Sequence, residues 1–245
     1  MSGSSAAPLL LLPGLLCDAR TWPSETLSLT RPAIAPMGYG DADTLTDMAE
    51  RALEGAPERV SLLGHSMGAR VALEIVRRHP HRVERLALVS TGVHLTRPGE
   101  ANARHALLDI GLAQGAEALV DRWLPPMVAA HRRSDEALIL SLRTMCVQAG
   151  VETFAHQIKA LLHRPEVERL LPTIGCPTLV LVGSEDQWSP PDQHRAIAAA
   201  IPGATLKIIE GAGHMLPAEA PAGFVAAMAE WLAAEPASLP VRHVA

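Results

Sequence analysis

The stretch Val60-Ser-Leu-Leu-Gly-His-Ser-Met-Gly-Ala-Arg-Val-Ala-Leu-Glu-Ile75 decides the fold. An apolar run enters it, Gly64-His-Ser-Met-Gly68 turns it, and an amphipathic helical pattern leaves it. A serine between two glycines, two residues away on either side, is the pattern of a tight strand-to-helix turn. Such a turn holds the serine in a strained backbone conformation and leaves no room for bulk at its flanks. It lifts the Ser66 hydroxyl clear of the sheet and points the free N–H groups of the next helix at developing negative charge. Ser66 is therefore the candidate nucleophile.

Outward from this turn, short apolar runs alternate with longer amphipathic stretches. The runs are Leu9–Leu12, Pro32–Ala35, Val60–Leu63, Leu86–Ser90, Thr178–Val182 and Thr205–Ile209. Their nearly continuous apolar character fits strands buried on both faces of a parallel sheet. Segments near 44–55, 67–79, 191–201 and 218–234 read as intervening helices, the first with Thr44 as N-cap. The alternation predicts an α/β fold with a doubly wound, mainly parallel sheet of about six strands. Residues 91–177 form one connection much longer than a crossover needs. Helical patterns near 100–114, 116–131, 134–149 and 151–163 fill it, and Pro125-Pro126 is expected to break the second. The expected organisation is a core of 1–92 and 173–245 with a helical lid, 93–172, inserted before the last two strands.

Composition narrows the function. The 245 residues are 48% hydrophobic and 19% charged, with a formal net charge of −5, enough apolar material for a sizeable core. No basic excess favours nucleic acid, and no apolar run is long enough for a membrane span. The start Met1–Ala7 and the apolar run behind it lack the basic residues and cleavage site of a signal peptide. Cys17, Cys146 and Cys176 show no metal-ligand spacing and read as free thiols, Cys17 as small packing near the site. The expectation is a soluble, cytoplasmic protein with a small-molecule substrate and no nucleic-acid or membrane partner. No metal or cofactor is implied, and no homo-oligomer is indicated.

A serine hydroxyl needs a base at neutral pH. Of the 11 histidines, His65 adjoins Ser66 with its side chain expected to point away. His79 and His81 lie at the far end of the following helix, and His243 is in the tail Pro236–Ala245. His214, in Glu210-Gly-Ala-Gly-His-Met-Leu-Pro217, follows the last apolar run at the carboxyl edge of the sheet, where ligands bind. It is the predicted general base. An orienting carboxylate stands at Asp186, in Leu179-Val-Leu-Val-Gly-Ser-Glu-Asp-Gln-Trp188, with Glu185 its rival. The order Ser66, Asp186, His214 is that of a Ser…Asp…His triad. Two backbone N–H groups are expected to form an oxyanion hole: Met67, directly after the nucleophile, and Leu15, in Leu12-Pro-Gly-Leu-Leu-Cys17.

With these pieces in place, the chain resembles the α/β-hydrolase superfamily, in the compact lidded group of carboxylesterases, enol-lactonases, carbon–carbon bond hydrolases and cofactor-free haloperoxidases. Leu9-Leu-Leu-Leu-Pro-Gly14, Gly64-His-Ser-Met-Gly68, Gly183-Ser-Glu-Asp186, Gly211-Ala-Gly-His214 and Glu219-Ala-Pro221 carry the resemblance over residues 9 to 221. It implies that the acid is Asp186, the Asp of G-x-x-D. Pro13-Gly14 stands where many members have His-Gly, and only eight residues precede the first strand, so the N-terminal hairpin common in the family is expected to be absent. Members with Asp at the nucleophile position, the haloalkane dehalogenases and epoxide hydrolases, are disfavoured by Ser66.

The implied activity is hydrolysis of a small to medium carboxylic ester through an acyl-enzyme. Carbon–carbon bond cleavage and lactone opening would use the same residues. A slow-turnover ligand receptor with an intact triad is a further reading, as is an acyl-transfer enzyme acting on a carrier-bound substrate. Residues 94–172 hold nine Arg or Lys and nine Asp or Glu, so no basic docking face supports the carrier reading. Trp123, Met127 and Met145 are the insertion residues expected to wall the substrate site.

Overall fold

The structure, a computed structural model, describes residues 7–29, 33–35 and 38–234. Among these, six strands form one sheet: β1 (Leu9–Leu12), β2 (Ala33–Ile34), β3 (Val60–His65), β4 (Val83–Val89), β5 (Thr178–Gly183) and β6 (Thr205–Ile209). Their order is β2-β1-β3-β4-β5-β6, and every neighbouring pair is parallel. The expected doubly wound α/β architecture is therefore present. The chain leaves β1 to one side for β2 and returns to its other side for β3. The carboxyl ends of β1 and β3 thus flank the point where the winding reverses, the usual ligand position in such sheets.

Alternation along β1 shows how both faces are buried. Leu9 and Leu11 pack with Trp22, Phe224, Met228 and Trp231 on one face. Leu10 and Leu12 pack with Met48, Leu73 and Val76 on the other. The first face is covered by α8 (Pro221–Ala233), the second by α1 (Leu45–Leu53) and α2 (Met67–Arg78). Thr44 caps α1 as expected, its Oγ1 accepting the Asp47 N–H at 3.0 Å.

Between β4 and β5 lie α3 (Glu100–Gln114), α4 (Ala116–Trp123) and α5 (Glu136–Leu162). Pro125-Pro126 ends the second pattern at Trp123 and opens a 3-10 turn. Gly150, at φ 83° and ψ 168°, divides α5 into the two helical pieces that the sequence pattern separates. Leu119, Trp123, Met127, Phe154 and Ile158 of this connection belong to the same apolar cluster as Leu62 and Leu88 of the sheet. After β5 come α6 (Pro191–Ala200), α7 (Leu216–Glu219) and α8.

Some boundaries differ from expectation, each for a physical reason. β4 begins at Val83 rather than Leu86, because Glu84 and Arg85 interrupt the apolar pattern; Arg85 is nevertheless buried, its guanidinium donating to the Trp231 and Ala234 carbonyls. β6 is only partly buried, since it is the edge strand. The helix expected over 218–234 is two, because Pro221 pushes Ala220 out of the helical region to φ −134°, ψ 59°. Pro32 and His243 lie outside the described residues.

The turn from β3 into α2 tolerates no side chain at its flanks. A Cβ on Gly64 would stand 2.5 Å from the Ala69 Cα, and one on Gly68 only 1.9 Å from the Leu12 carbonyl oxygen. Both obstacles are backbone, which cannot rotate aside. Gly68→Ala should therefore lower stability by at least about 1–3 kcal/mol, a fall in thermal midpoint of roughly 2–4 °C per kcal/mol in a chain of this size. A calorimetric midpoint equal to that of the parent protein would contradict the close approach of α2 to β1.

Candidate active site

Ser66 joins β3 to α2 with φ 54° and ψ −113°, a region that side chains rarely enter. Its hydroxyl donates to His214 Nε2 at 2.8 Å. His214 Nδ1 donates in turn to Asp186, at 2.9 Å from Oδ2 and 3.1 Å from Oδ1. The three predicted side chains thus form a continuous relay, although 148 residues separate serine from histidine. Asp186 Oδ1 also accepts the Trp188 and Ser189 N–H groups at 3.0 and 2.8 Å, which fixes the carboxylate. Glu185 turns outward to His131 at 3.3 Å.

Burial opposes ionisation of Asp186, but the facing imidazole and the backbone donors outweigh it and hold the carboxyl below its ordinary value. The sign follows. A depressed carboxyl contributes stability that is present above the unfolded value and lost as pH falls through the folded one. The Asp186 carboxylate is therefore charged at neutral pH.

The Ser66 hydroxyl goes to His214 and not to His65, whose ring braces the His214 backbone. Burial lowers the pKa of His65 to about 4, so the ring is neutral, and Nε2 donates to the His214 carbonyl at 2.8 Å. His194, also buried and lowered to about 4 by burial, accepts the Thr91 N–H at 2.9 Å. Two segments of the long connection also hold the site. The Met127 carbonyl accepts the His214 N–H at 2.8 Å, and Glu219 Oε2 accepts the N–H groups of Ala129 and Gly213 at 2.8 and 3.1 Å. From α5, Gln157 Oε1 accepts the Leu16 N–H at 2.8 Å, pinning a loop whose Leu16 lies at φ 58°.

Leu15 and Met67 line a hollow of about 50 Å³ together with Ser66 and His214. Neither of their N–H groups has an acceptor among the described residues. Trp123 and Met127 line the same hollow; Met145 does not. Met145 is buried between α5 and the loop after β1, where its sulfur accepts the Thr21 hydroxyl at 3.6 Å. Cys17 is buried beside the hollow without lining it. Arg70, Arg104, Leu161 and Trp188 also line it, and the first two were not singled out by motif. One signal for Arg70 was legible: it stands one helical turn after Ser66. A larger cavity of about 380 Å³ adjoins, sharing Arg70, Arg104, Trp123, Trp188 and Ser189 with the first.

Among the described residues no group of three or more His, Cys, Asp or Glu side chains could hold a metal ion, and no helix is long and apolar enough to cross a membrane. A hydroxyl bonded to an imidazole that is itself bonded to a buried carboxylate can be deprotonated while it attacks an electrophile. Donors in the hollow can meet the negative charge that results.

Similarity to known proteins agrees with this architecture. A thermophilic esterase from Thermogutta terrifontis, solved with malate bound, is 29% identical; the match covers 93% of this chain and 90% of that one, with a TM-score of 0.86. The enol-lactonase of Burkholderia xenovorans LB400 shares the fold at 24% identity, covering 92% and 91% of the two chains, with a TM-score of 0.78. A Yersinia enterocolitica protein provisionally named the carbamate hydrolase RutD is 25% identical over 189 residues, which span 75% of this chain and 66% of that relative. Residues 9–227 match the model described as "Alpha/beta hydrolase family", nearly the same range that the motifs cover, and the chain belongs to that family.

Proposed function

We propose that the protein is a serine hydrolase that cleaves a small to medium carboxylic ester through an acyl-enzyme. The observation that carries this reading is the closed relay from Ser66 through His214 to Asp186, with its 2.8 and 2.9 Å hydrogen bonds. In the proposed reaction Ser66 Oγ attacks the ester carbonyl while His214 Nε2 takes its proton. Asp186 holds the imidazole in the required tautomer and stabilises the imidazolium that forms. The Leu15 and Met67 N–H groups receive the oxyanion, a contribution worth about 10²–10³ in rate for each donor. His214 then protonates the leaving alcohol, and water, activated by the same imidazole, releases the acid. The esterase similarity at 29% identity supports the ester assignment.

The proposed lid is residues 93–172, over a core of 1–92 and 173–245. Its role follows from what it touches: Met127 and Gln157 hold the histidine loop and the loop after β1, and Trp123 and Met127 wall the hollow. The adjoining cavity of about 380 Å³ suits a small to medium substrate.

Replacing Ser66 by Ala removes one oxygen from a site whose backbone is set by its neighbours, so turnover of p-nitrophenyl butyrate should fall by at least about 10⁴ while the thermal midpoint stays near that of the parent. Parent-like turnover in Ser66→Ala would overturn the proposal. Asp186→Asn should cost about 10⁴ in kcat, whereas Glu185→Gln, whose partner is the surface residue His131, should retain most activity. The reverse pattern would move the acid by one residue.

Wall residues should set specificity. Trp123→Ala and Met127→Ala are expected to shift the acyl chain-length preference by roughly tenfold. Met145→Ala should lower the thermal midpoint instead, through a cavity costing about 2–5 kcal/mol. Should all three variants merely melt earlier with an unaltered chain-length profile, residues 93–172 are scaffold.

A further inference from the structure

Next to the relay lies a cluster of charge that ester cleavage alone does not require. Arg70, on α2, is 7% exposed, and its one side-chain bond is from Nη2 to the His94 carbonyl at 3.0 Å; no carboxylate pairs with it among the described residues. Arg104, on α3, and Arg164, just beyond α5, both turn to Glu100. Arg164 reaches it at 2.7 Å through both Nη atoms and Arg104 at 3.0 Å through Nε. Arg97, exposed, adds a fourth cation to the field felt by Arg70. The charges that act on Arg70 are thus three guanidinium groups against the one carboxylate of Glu100. The nearby His94 does not add to them: burial, then the charges of Arg70, Arg97 and Arg164, lower its pKa to about 4.

An excess of this kind is costly where it stands. Burial, then the charge of Arg164, pushes the Arg70 guanidinium down to about 9, and a buried cation is ordinarily paired. Arg70 and Arg104 come from the core and from the long connection respectively, and meet at the junction of the two cavities. Both line the hollow that holds Ser66 and His214, and both line the larger cavity behind it. An anion placed there would give Arg70 the charged partner it lacks, could share Arg104 with Glu100, and would still lie within a short chain of the serine. Guanidinium is the side-chain group best matched to a carboxylate, since its N–H groups form a planar fork.

We propose that Arg70 and Arg104 bind a carboxylate carried by the substrate, so that the preferred substrate is an ester with a free acid group a few bonds from the scissile carbonyl. This rests on the serine-hydrolase reading for its chemistry but not for its binding site. The carboxylate can belong to the acyl part, as in the half-ester of a dicarboxylic acid, or to the alcohol part, as in the ester of a hydroxy acid. If Arg70 were instead only a bracket for the His94 carbonyl, its loss would affect stability without touching substrate choice.

The decisive comparison uses matched pairs. The hemisuccinate and the butyrate of p-nitrophenol differ by a carboxylate in place of a methyl group on the acyl chain; O-butyryl glycolate and ethyl butyrate place the acid on the alcohol side. The kcat/KM ratio of acid to neutral ester should exceed roughly tenfold in one of the two pairs, a difference of about 1.4 kcal/mol. Arg70→Gln and Arg104→Gln should each erase most of that ratio, chiefly through KM, and Arg104→Lys should keep part of it. Arg104→Gln leaves the Glu100–Arg164 pair in place, so it serves if Arg70→Gln does not fold. Ratios near one in both pairs, or ratios unchanged in the Gln variants, would overturn the proposal while leaving ester hydrolysis standing.

Calorimetric titration of succinate into Ser66→Ala and into Ser66→Ala/Arg104→Gln separates the two readings. Binding to the first and not the second, with no ester cleaved by the parent, would sustain the anion site and sink the ester reading. Failure of succinate to bind either protein would sink the anion site.

Discussion

Everything in the site depends on one backbone conformation, that of Ser66 at φ 54° and ψ −113°. It is held by close approaches rather than by side-chain bonds. Gly64 sits against the first residues of α2, and Gly68 sits against the backbone of Leu12 and Pro13 at the end of β1. Those contacts place three things at one edge of the sheet: the serine, the N-terminus of α2, and the loop after β1 that carries Leu15. The strain of the turn is offset by the sheet on either side, where Gly64 pairs with Leu12 and with Leu88 in register. A position forced by packing in this way projects its hydroxyl at the His214 ring, which accepts it at 2.8 Å.

The opposite side of the site is fixed by hydrogen bonds that cross between distant segments. His214 is bonded through its ring to Asp186, through its N–H to the Met127 carbonyl, and through its carbonyl to the His65 ring. Glu219 ties the histidine loop to Ala129, and burial keeps its carboxyl above the ordinary range. Gln157 reaches from α5 to the loop that carries Leu15. The helices between β4 and β5 are consequently joined to both sides of the candidate catalytic centre. Through these bonds the helices share their position with the histidine loop and with the loop that carries Leu15.

How much of this could be read in advance follows from the range of each interaction. The strands and most helices were legible because apolar periodicity and glycine or proline breaks are local signals. That Ser66, Asp186 and His214 would meet was legible because each stands at a loop after a strand, and a parallel sheet brings such loops to one edge. What sequence could not show were partnerships across the chain. Gln157 with Leu16, Met127 with His214, and the charge excess around Arg70 arise from packing between helices far apart in sequence. Met145 illustrates the limit. Its apolar character marked it as buried, but only the packing of α5 decides that it meets Thr21 rather than the hollow beside Trp123 and Met127.

The most direct test of the central claim is chemical capture of the nucleophile. The intact protein would be treated with an alkyl fluorophosphonate and weighed by mass spectrometry, and the adduct located by peptide mapping. A relay in which His214 activates Ser66 predicts one adduct per chain, on the peptide containing Ser66, formed far more slowly when His214 is replaced by Ala. An adduct on a different serine, or labelling of Ser66 at the same rate without His214, would contradict the account.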